Sequence, residues 1–296
     1  HSGVYTYKIH KALWMQRLCN IQKTPQQMRR LYTVKFLTER CDRQMCLFDC
    51  CDGNPDPAVE YTHRFETTVC DFDCFKRLKL SSQLKYQHET AERHMDAQGF
   101  SYDRISAHQM AFLVTATQNR IHRMPAYNDR LRVTTWNKGT HGVRYYRGFN
   151  WYDQTGALVI ESCNVYVLVD IQSHKPLRPD AFFDTMREFP TRENTATTPE
   201  KLQLPKTMQP AGEKRITFSQ LDLNRHLNNA FYADILQDFL PTQLQTWPVK
   251  AFHIDYRHEA RMNDLLQIST ATAGDTVYIT AAHDRGECFR ASCLLG

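Results

Sequence analysis

Two hexapeptides of this chain match in kind and in position: NDRLRV at residues 128–133 and NDLLQI at residues 263–268. A second pair of motifs lies upstream of them, where Asp71-x-Asp73 in the first half answers Asp222-x-Asn224 in the second. Short motifs that recur in the same order indicate an internal duplication. The chain is therefore predicted to contain two copies of one structural unit.

The first unit is predicted to consist of a strand, a helix and four further strands. The helix begins at Ser81-Ser82 and ends before Gly99. Its buried stripe is predicted from residues at helical spacing, namely Leu84, His88, Ala91 and Met95. The strands are predicted at residues 64–69, 114–123, 130–136, 143–152 and 158–169, and the turn residues between them favour antiparallel hairpins.

The second unit repeats this order of elements. Its helix is predicted over residues 227–240, with Asn228 or Asn229 as the N-terminal cap and Pro241 as the stop signal. The apolar stripe of this helix is predicted to be Phe231, Ile235 and Phe239. Strands are predicted at residues 214–218, 251–258, 265–272, 277–283 and 287–294.

A helix followed by an antiparallel meander buries both apolar surfaces when the helix packs on one face of the sheet, an α+β arrangement. The repeat thus predicts a tandem double hotdog, in which each unit is a long helix wrapped by a curved antiparallel sheet. The two sheets are expected to pair side by side. The units are assigned to residues 58–172 and 213–296. A linker, residues 173–212, contains six of the twelve prolines, and residues 1–57 form an extension of unknown role.

Composition and charge argue against several classes of protein. The net charge of +5 comes without a block of five Lys or Arg residues, so no nucleic-acid partner is expected. A mildly basic surface would instead suit an acidic protein partner. No apolar run reaches the roughly 20 residues of a membrane-spanning helix, and the ten cysteines include no C-x-x-C pair typical of zinc sites. These features predict a cytoplasmic protein without a membrane span.

The segment before the second predicted helix carries the residues most suited to chemistry. In an extended chain, Asp222, Asn224 and His226 alternate and would face a common space, whereas Leu221 and Leu223 would face the core. The N-terminus of the helix that follows offers free backbone N–H groups for a developing oxyanion. The alternative is that Asp222 and Asn224 only shape a turn and that His226 packs beside a cap.

A second candidate comes from comparing the two units. When Asp264 is aligned with Asp129, Glu259 lies opposite Met124, so that only the second unit has a carboxylate at this position. A buried carboxylate costs several kcal/mol unless it is paired, and such an exchange therefore suggests a functional role. The alternative is a simple ion pair of Glu259 with Arg257 or Arg261, both close in sequence.

Three sets of motifs follow one another in a fixed order. They are Leu84-x-Tyr86-x-x-Glu89-Thr90-Ala91-x-x-His94 with Thr135-Trp136, then Asp222-x-Asn224-x-His226-x-Asn228-Asn229-x-x-Tyr232, then Tyr256-Arg257-His258-Glu259. In order and spacing they resemble the acyl-acyl-carrier-protein thioesterases of plants and bacteria. The resemblance extends from about Glu60 to the C-terminus.

This resemblance implies hydrolysis of fatty acyl-acyl carrier protein to free fatty acid and carrier protein, a reaction that terminates fatty acid synthesis and needs no cofactor or metal. It implies a catalytic set of Asp222, Asn224, His226 and Glu259. The first unit would hold the acyl chain, and the candidate substrate-binding residues are Leu84, His88, Met95, Phe112, Trp136 and Asn229. The implied partner is acylated acyl carrier protein, and a homodimer is compatible with this interpretation.

The chain departs from the family pattern at three positions. Ala260 replaces a cysteine that often follows the motif glutamate, His88 replaces a glutamine and Phe112 replaces a tryptophan. The catalytic set is intact, but the substrate range is left open. Two other functions remain as alternatives: a hotdog dehydratase or hydratase, and a protein that binds acyl thioesters without catalysis.

Overall fold

The computed structural model of the chain describes residues 59–178 and 198–296, in which ten strands form one antiparallel sheet. The strands are β1 (Glu60–Glu66), β2 (Met110–Ile121), β3 (Arg130–His141), β4 (Arg144–Tyr152), β5 (Leu158–Asp170), β6 (Gln209–Arg215), β7 (Val249–Tyr256), β8 (Leu265–Ala273), β9 (Thr276–His283) and β10 (Gly286–Leu295). The same ranges contain the α-helices α1 (Leu80–Ala97), α2 (Tyr102–Ala107) and α3 (Asn229–Asp238).

The order of the strands in the sheet repeats with a two-fold relation. It runs β1-β3-β4-β5-β2 through the first unit and continues β7-β10-β9-β8-β6 through the second, which is the matching order reversed. The halves join where β2 pairs with β7, with Thr117 opposite Ile254 and Asn119 opposite Phe252. The tandem hotdog architecture predicted from the repeat is confirmed.

The helix α1 presents a mixed apolar and polar face to the rest of the protein. Leu84, Ala91 and Met95 are buried as predicted, but His88 is exposed and Gln87 is fully buried instead. Adjacent helical residues point about 100° apart, so the inward line of residues passes through Gln87 and leaves His88 outside. The prediction that His88 is buried is wrong. The spacing of the apolar residues fits an inward position at 87 as well as one at 88.

The helix α3 is shorter than predicted, and its buried face is turned by one residue. Ile235 is buried, whereas Phe231 and Phe239 are only partly covered. Tyr232 and Leu236 are buried beside Ile235. Bulky aromatic residues at helical spacing therefore indicated the helix correctly but not which of its sides packs against the sheet.

The N-terminus of α3 is capped by Asn228, whose Oδ1 accepts a hydrogen bond from the Ala230 N–H at 3.0 Å. Replacing Asn228 with alanine removes this acceptor, so we expect the free energy of unfolding to fall by about 1 kcal/mol in urea denaturation. Lys79 precedes α1 at the matched position and makes no side-chain cap. Lys79→Ala is therefore the control, and equal losses in the two variants would show that the Asn228 cap contributes nothing.

The first strand of each unit, β1 or β6, begins and ends earlier in the chain than predicted. β1 ends at Glu66 and is followed by a 3-10 turn at Val69–Asp71, where the Thr68 N–H donates to Asp71 Oδ2 at 2.7 Å. The Thr217 N–H donates to Gln220 Oε1 at 2.9 Å in the same way after β6. These reciprocal caps end each strand, because they hold the chain in a turn.

Part of the predicted linker is structured. β6 begins inside it, and Leu202 contacts both β7 and β10. The Leu202 N–H donates to Asp255 Oδ2 at 3.0 Å, and Arg290 Nη1 donates to the Leu202 carbonyl at 3.2 Å. Residues 179–197 and the extension, residues 1–57, lie outside the described residues, so the domain boundaries stay a prediction.

Apolar side chains form two separate clusters. The larger spans both units and includes Leu84 of α1, Leu236 of α3 and Phe252 of β7. The smaller, here called the α2 cluster, consists of Met95, Phe100, Ile105, Met110, Tyr145 and Leu168, with Phe112, Tyr166 and Leu177 packed against it. Across residues 59–178 and 198–296, the helices lack the length and apolar character required to cross a bilayer.

Candidate active site

The segment from Asp222 to His226 forms a tight turn. The Asp222 N–H donates to the His226 carbonyl at 2.8 Å, and Arg225 has a φ of 63°. Asp222 Oδ1 accepts hydrogen bonds from the N–H groups of Asn224 (2.8 Å) and His226 (3.1 Å). The extended geometry predicted for this segment is wrong, and Leu223 is 86% exposed and does not face the core.

A turn of the same construction precedes α1 in the first unit. Asp73 Oδ1 accepts hydrogen bonds from the N–H groups of Phe75 (2.8 Å) and Arg77 (2.9 Å), and Lys76 has a φ of 60°. These bonds match Asp73 with Asp222. The alignment of Asp71 with Asp222 was therefore two residues out of register.

The two turns differ at the second carboxylate oxygen. In the first unit, Arg77 Nε donates to Asp73 Oδ2 at 2.8 Å. His226 takes the place of Arg77 in the second unit, and Asp222 Oδ2 accepts no hydrogen bond from the described residues. One oxygen of Asp222 thus holds the turn while the other is available for chemistry.

Arg77 also forms hydrogen bonds to the second unit. Its two Nη groups donate to the carbonyls of Gln245 (2.8 Å), Thr246 (3.2 Å) and Trp247 (3.0 Å), all in the second unit. The guanidinium therefore ties the first unit to the end of the segment after α3. At this position in the second unit, the side chain of His226 makes no equivalent hydrogen bonds to the described residues.

Glu259 lies on the loop after β7, and its carboxylate accepts a hydrogen bond from Arg261 Nη2 at 2.9 Å. The ion pair with Arg261 proposed as an alternative is thus present, and the side chain of Glu259 is 43% exposed. Burial alone would raise the pKa of Glu259, but hydrogen bonds from its own N–H and from Arg261, with His226 nearby, outweigh this effect. The pKa of Glu259 therefore lies below its ordinary value.

The loop that carries Glu259 is fixed by its backbone. The Leu227 N–H donates to the Ala260 carbonyl (2.7 Å), and the Ala260 N–H donates to Tyr232 Oη (3.3 Å). His283 Nδ1 accepts from the Arg285 N–H (3.1 Å), so its Nε2 carries the proton and donates to the Glu259 carbonyl (3.1 Å). Sequence reasoning assigned no role to His283 and included Tyr232 in a motif without a role, because both contacts join segments that are distant in sequence.

One side chain of the first unit reaches this turn. Tyr102, the first residue of α2, donates from its phenol Oη to Asn224 Oδ1 at 3.3 Å. This contact orients the amide of Asn224 and joins the predicted acyl-binding unit to the predicted catalytic one. Neither α2 nor Tyr102 was predicted, because a six-residue helix has too short a pattern to detect.

The predicted substrate-binding residues do not lie together around a single binding site. Met95 belongs to the α2 cluster, and Phe112 packs against it through an edge-to-face contact with Tyr145 at 5.1 Å. Leu84 lies in the larger cluster, and Trp136 is fully buried.

The other two predicted residues, His88 and Asn229, are exposed. Asn229 is the first residue of α3, and its N–H has no acceptor among the described residues. Within the same residues, no three His, Cys, Asp or Glu side chains are grouped as metal ligands.

The geometry can be compared with known protein families. Residues 58–182 match the acyl-ACP thioesterase N-terminal domain, where ACP is acyl carrier protein, and residues 206–287 match the acyl-ACP thioesterase C-terminal domain. The chain is 24% identical over 227 residues to an acyl-ACP hydrolase of Cuphea viscosissima, with 71% of this chain and 55% of the relative covered. It is also 24% identical over 183 residues to a dodecanoyl-ACP hydrolase of Cinnamomum camphora, with 57% and 47% covered. The chain thus spans about half the length of these relatives.

Solved structures show the same fold. An acyl-ACP thioesterase from Bacteroides thetaiotaomicron superposes with a TM-score of 0.70 at 18% identity, covering 80% of this chain and 98% of the other. The 12:0-ACP thioesterase from Umbellularia californica gives 0.71 at 18% identity, with 80% and 97% covered. The two family matches together account for well over half of the chain, which therefore belongs to the acyl-ACP thioesterase family.

Proposed function

We propose that this chain hydrolyses the thioester of a fatty acyl group carried by ACP, releasing the free acid and the carrier protein. The observation that carries the proposal is the free Oδ2 of Asp222, because Arg77 occupies the corresponding oxygen of Asp73. A carboxylate that is held in place through one oxygen while the other accepts no hydrogen bond can act as a nucleophile or as a general base. The turn at Asp73 has no such free carboxylate oxygen, because Arg77 donates to its Oδ2.

We assign the catalytic roles to Asp222, Asn224, His226 and Glu259. One carboxylate attacks the thioester carbon or activates a water molecule, and both routes use the same residues. Asn224 and His226 supply hydrogen bonds that orient the carboxylate and the substrate. The free N–H of Asn229 at the start of α3 is placed to donate to the oxyanion that forms.

The two units divide this work. The first, residues 58–172, holds the acyl chain, and the second, residues 213–296, performs the hydrolysis, with residues 173–212 as the linker and residues 1–57 as an extension. The net charge of +5 favours encounter with an acidic carrier protein. We place the reaction in fatty acid biosynthesis and in a cytoplasmic setting, and a homodimer is compatible with it.

Product analysis tests this function directly. The native chain is incubated with acyl-ACP thioesters of several lengths, and the acyl products are identified by mass spectrometry. Release of free acid, lost in Asp222→Ala, supports the thioesterase. An enoyl or hydroxyacyl group still attached to ACP would indicate a dehydratase or hydratase, and saturable binding without turnover would indicate a binding protein.

The pH dependence of the reaction follows from the ion pair of Glu259 with Arg261. Because the pKa of Glu259 is lowered in the folded protein, its carboxylate persists to lower pH and protonates only as the pH falls through that lowered pKa. Arg261→Gln removes one cause of the lowering, so we expect the acidic limb of kcat/KM to move to higher pH. Arg257→Gln is the control, since Arg257 pairs with Asp255 at 3.5 Å. An acidic limb that does not move in Arg261→Gln would remove Glu259 from the mechanism.

A further inference from the structure

The interiors of the two units differ in chemistry at matched positions. Strand pairing shows which positions of the two units correspond. Asn119 lies opposite Ser162 in the first unit, and Ile254 lies opposite Ala291 in the second. Seven buried polar residues of the first unit, here called the polar layer, are Gln83, Gln87, Thr117, Asn119, Arg147, Ser162 and Asn164. Their counterparts are Tyr232, Leu236, Phe252, Ile254, Val277, Ala291 and Cys293, which are equally buried.

One part of the polar layer connects α1 to the sheet through amide groups. Gln87 Nε2 donates to Asn119 Oδ1 (3.1 Å) and to Ser162 Oγ (2.8 Å), and Asn119 Nδ2 donates to Gln83 Oε1 (3.0 Å). Gln87 Oε1 remains, a buried carbonyl oxygen without a hydrogen-bond donor among the described residues. A buried acceptor left unpaired destabilises the protein, and in native structures it calls for an explanation.

Another part is Arg147, a residue that is only 6% exposed. Its Nη1 contacts His94 Nδ1 at 2.7 Å and Thr135 Oγ1 at 3.5 Å, and its Nη2 contacts Met95 Sδ at 3.3 Å. Burial lowers the pKa of Arg147, an effect that Tyr166 and Glu92 oppose from a longer range.

No carboxylate in the described residues forms an ion pair with Arg147, although a buried charge is costly without one. Val277 shows that the fold accepts an apolar residue at this position. An arginine there consequently calls for a partner that the described chain does not supply.

A series of contacts links the polar layer to the candidate active site. Met95, which contacts Arg147, belongs to the α2 cluster, and Ile105 of α2 belongs to the same cluster. α2 begins with Tyr102, the residue that contacts Asn224. An acyl chain attached at the Asp222 turn and directed along the α2 cluster would therefore meet Arg147.

We propose that the polar layer recognises an oxygen-bearing acyl chain, one with a hydroxyl, oxo or carboxylate substituent that accepts hydrogen bonds from Arg147. A hydroxyl would in addition donate to Gln87 Oε1. The inference rests on the proposed thioesterase function, whose substrate class it narrows. A plain alkyl chain would leave Gln87 Oε1 without a donor and the Arg147 guanidinium without a further acceptor. A site built to hydrogen-bond a substrate oxygen discriminates strongly against analogues that lack it.

The test compares acyl-ACP thioesters of equal carbon number that carry a plain alkyl, hydroxy, oxo or terminal carboxy chain. We expect kcat/KM of the native chain to be higher for the preferred oxygen-bearing chain by a factor of about 100. The three oxygenated substrates distinguish a charged partner of Arg147 from a neutral one. Equal or faster hydrolysis of the alkyl chain would overturn the inference and leave the thioesterase function standing.

Variants test the same preference through the residues themselves. Arg147→Val and Gln87→Leu introduce the side chains that the second unit has at these positions, and each is expected to reduce the oxygen preference by about tenfold or more. The control is Arg144→Val, which changes an exposed residue of the same strand. A variant that lowers hydrolysis of all four substrates by one factor would assign Arg147 a structural role only.

Binding separates failure of this inference from failure of the proposed function. Non-hydrolysable acyl-pantetheine amides with the same four chains are titrated into the native protein. If no thioester is hydrolysed but the oxygen-bearing amides bind more tightly, the inference holds and the hydrolase function fails. If the alkyl amide binds as tightly as the others, the inference is overturned whatever the enzymatic result.

Discussion

Asp222→Asn is expected to lower kcat/KM for acyl-ACP by a factor of about 10³ to 10⁴, with little change in thermal stability. Asparagine keeps an oxygen that can accept the hydrogen bonds from Asn224 N–H and His226 N–H, so the turn persists. The amide group that replaces Oδ2 is neither a nucleophile nor a base. The substitution therefore removes the chemistry proposed for Asp222 and retains its structural contribution.

The first unit provides a matched control for this experiment. Asp73 holds a turn of the same construction, so Asp73→Asn makes the same chemical change without touching the proposed site. It weakens the ion pair with Arg77, which is expected to cost about 1 kcal/mol of stability. Its kcat/KM is expected to equal that of the native chain.

Steady-state kinetics and thermal melts of both variants give the answer together. Retention of a tenth or more of native kcat/KM by Asp222→Asn would mean that this carboxylate is not essential, and Glu259 would then be the candidate base. A loss of activity in Asp73→Asn of similar size would show that both variants act through folding.

Phe289→Ala is expected to lower the free energy of unfolding by about 3–5 kcal/mol, a large part of the stability of a typical domain. Phe289 lies on β10, is fully buried and packs edge-to-face against Tyr232 at a centroid distance of 5.1 Å. Truncation leaves a cavity that rigid strands on both sides cannot fill. The same cavity removes packing from Tyr232, whose hydroxyl accepts a hydrogen bond from the Ala260 N–H beside Glu259.

Phe218→Ala is the control for this substitution, because Phe218 is 80% exposed. Its replacement is expected to change stability by no more than about 0.5 kcal/mol. Urea denaturation followed by fluorescence and circular dichroism measures both variants. A loss below about 1 kcal/mol for Phe289→Ala would show that the surrounding strands collapse into the space, contrary to the packing described.

The sequence supported a correct prediction of the architecture because each unit combines two distinct periodicities. Alternating residues identified β4 and β5 almost to their ends, and the recurring Asn-Asp turn before β3 and β8 revealed the duplication. These signals are local. They are visible in a single sequence because alternation depends only on the period of a strand and the turn only on a short motif.

Features that depend on tertiary packing could not be predicted in this way. His88 fits the helical spacing as well as Gln87 does, and only contact with Asn119 and Ser162 shows which one faces inward. Leu223 looked like a core residue because alternation was assumed where the chain in fact turns. The turn depends on the carboxylate of Asp222 and on a positive φ, neither of which a periodicity reveals.

The candidate site was partly accessible from sequence. The motif containing Asp222, Asn224 and His226 was found, and so was the exchange of Met124 for Glu259 between the units. The contribution of Tyr102 was missed because it comes from more than a hundred residues away. The contrast between a free carboxylate oxygen at Asp222 and an occupied one at Asp73 required the geometry of both turns.

The salt bridge and carbonyl contacts of Arg77 have a consequence for how the two halves change over evolutionary time. A fused pair needs only one working turn, and the other becomes available as a tie between the halves. Under the catalytic assignment proposed above, selection would act on the segment around Asp73 through stability and on the segment around Asp222 through reaction rate. Substitutions that one half tolerates are therefore not expected to predict those that the other half tolerates, even at positions whose backbones correspond.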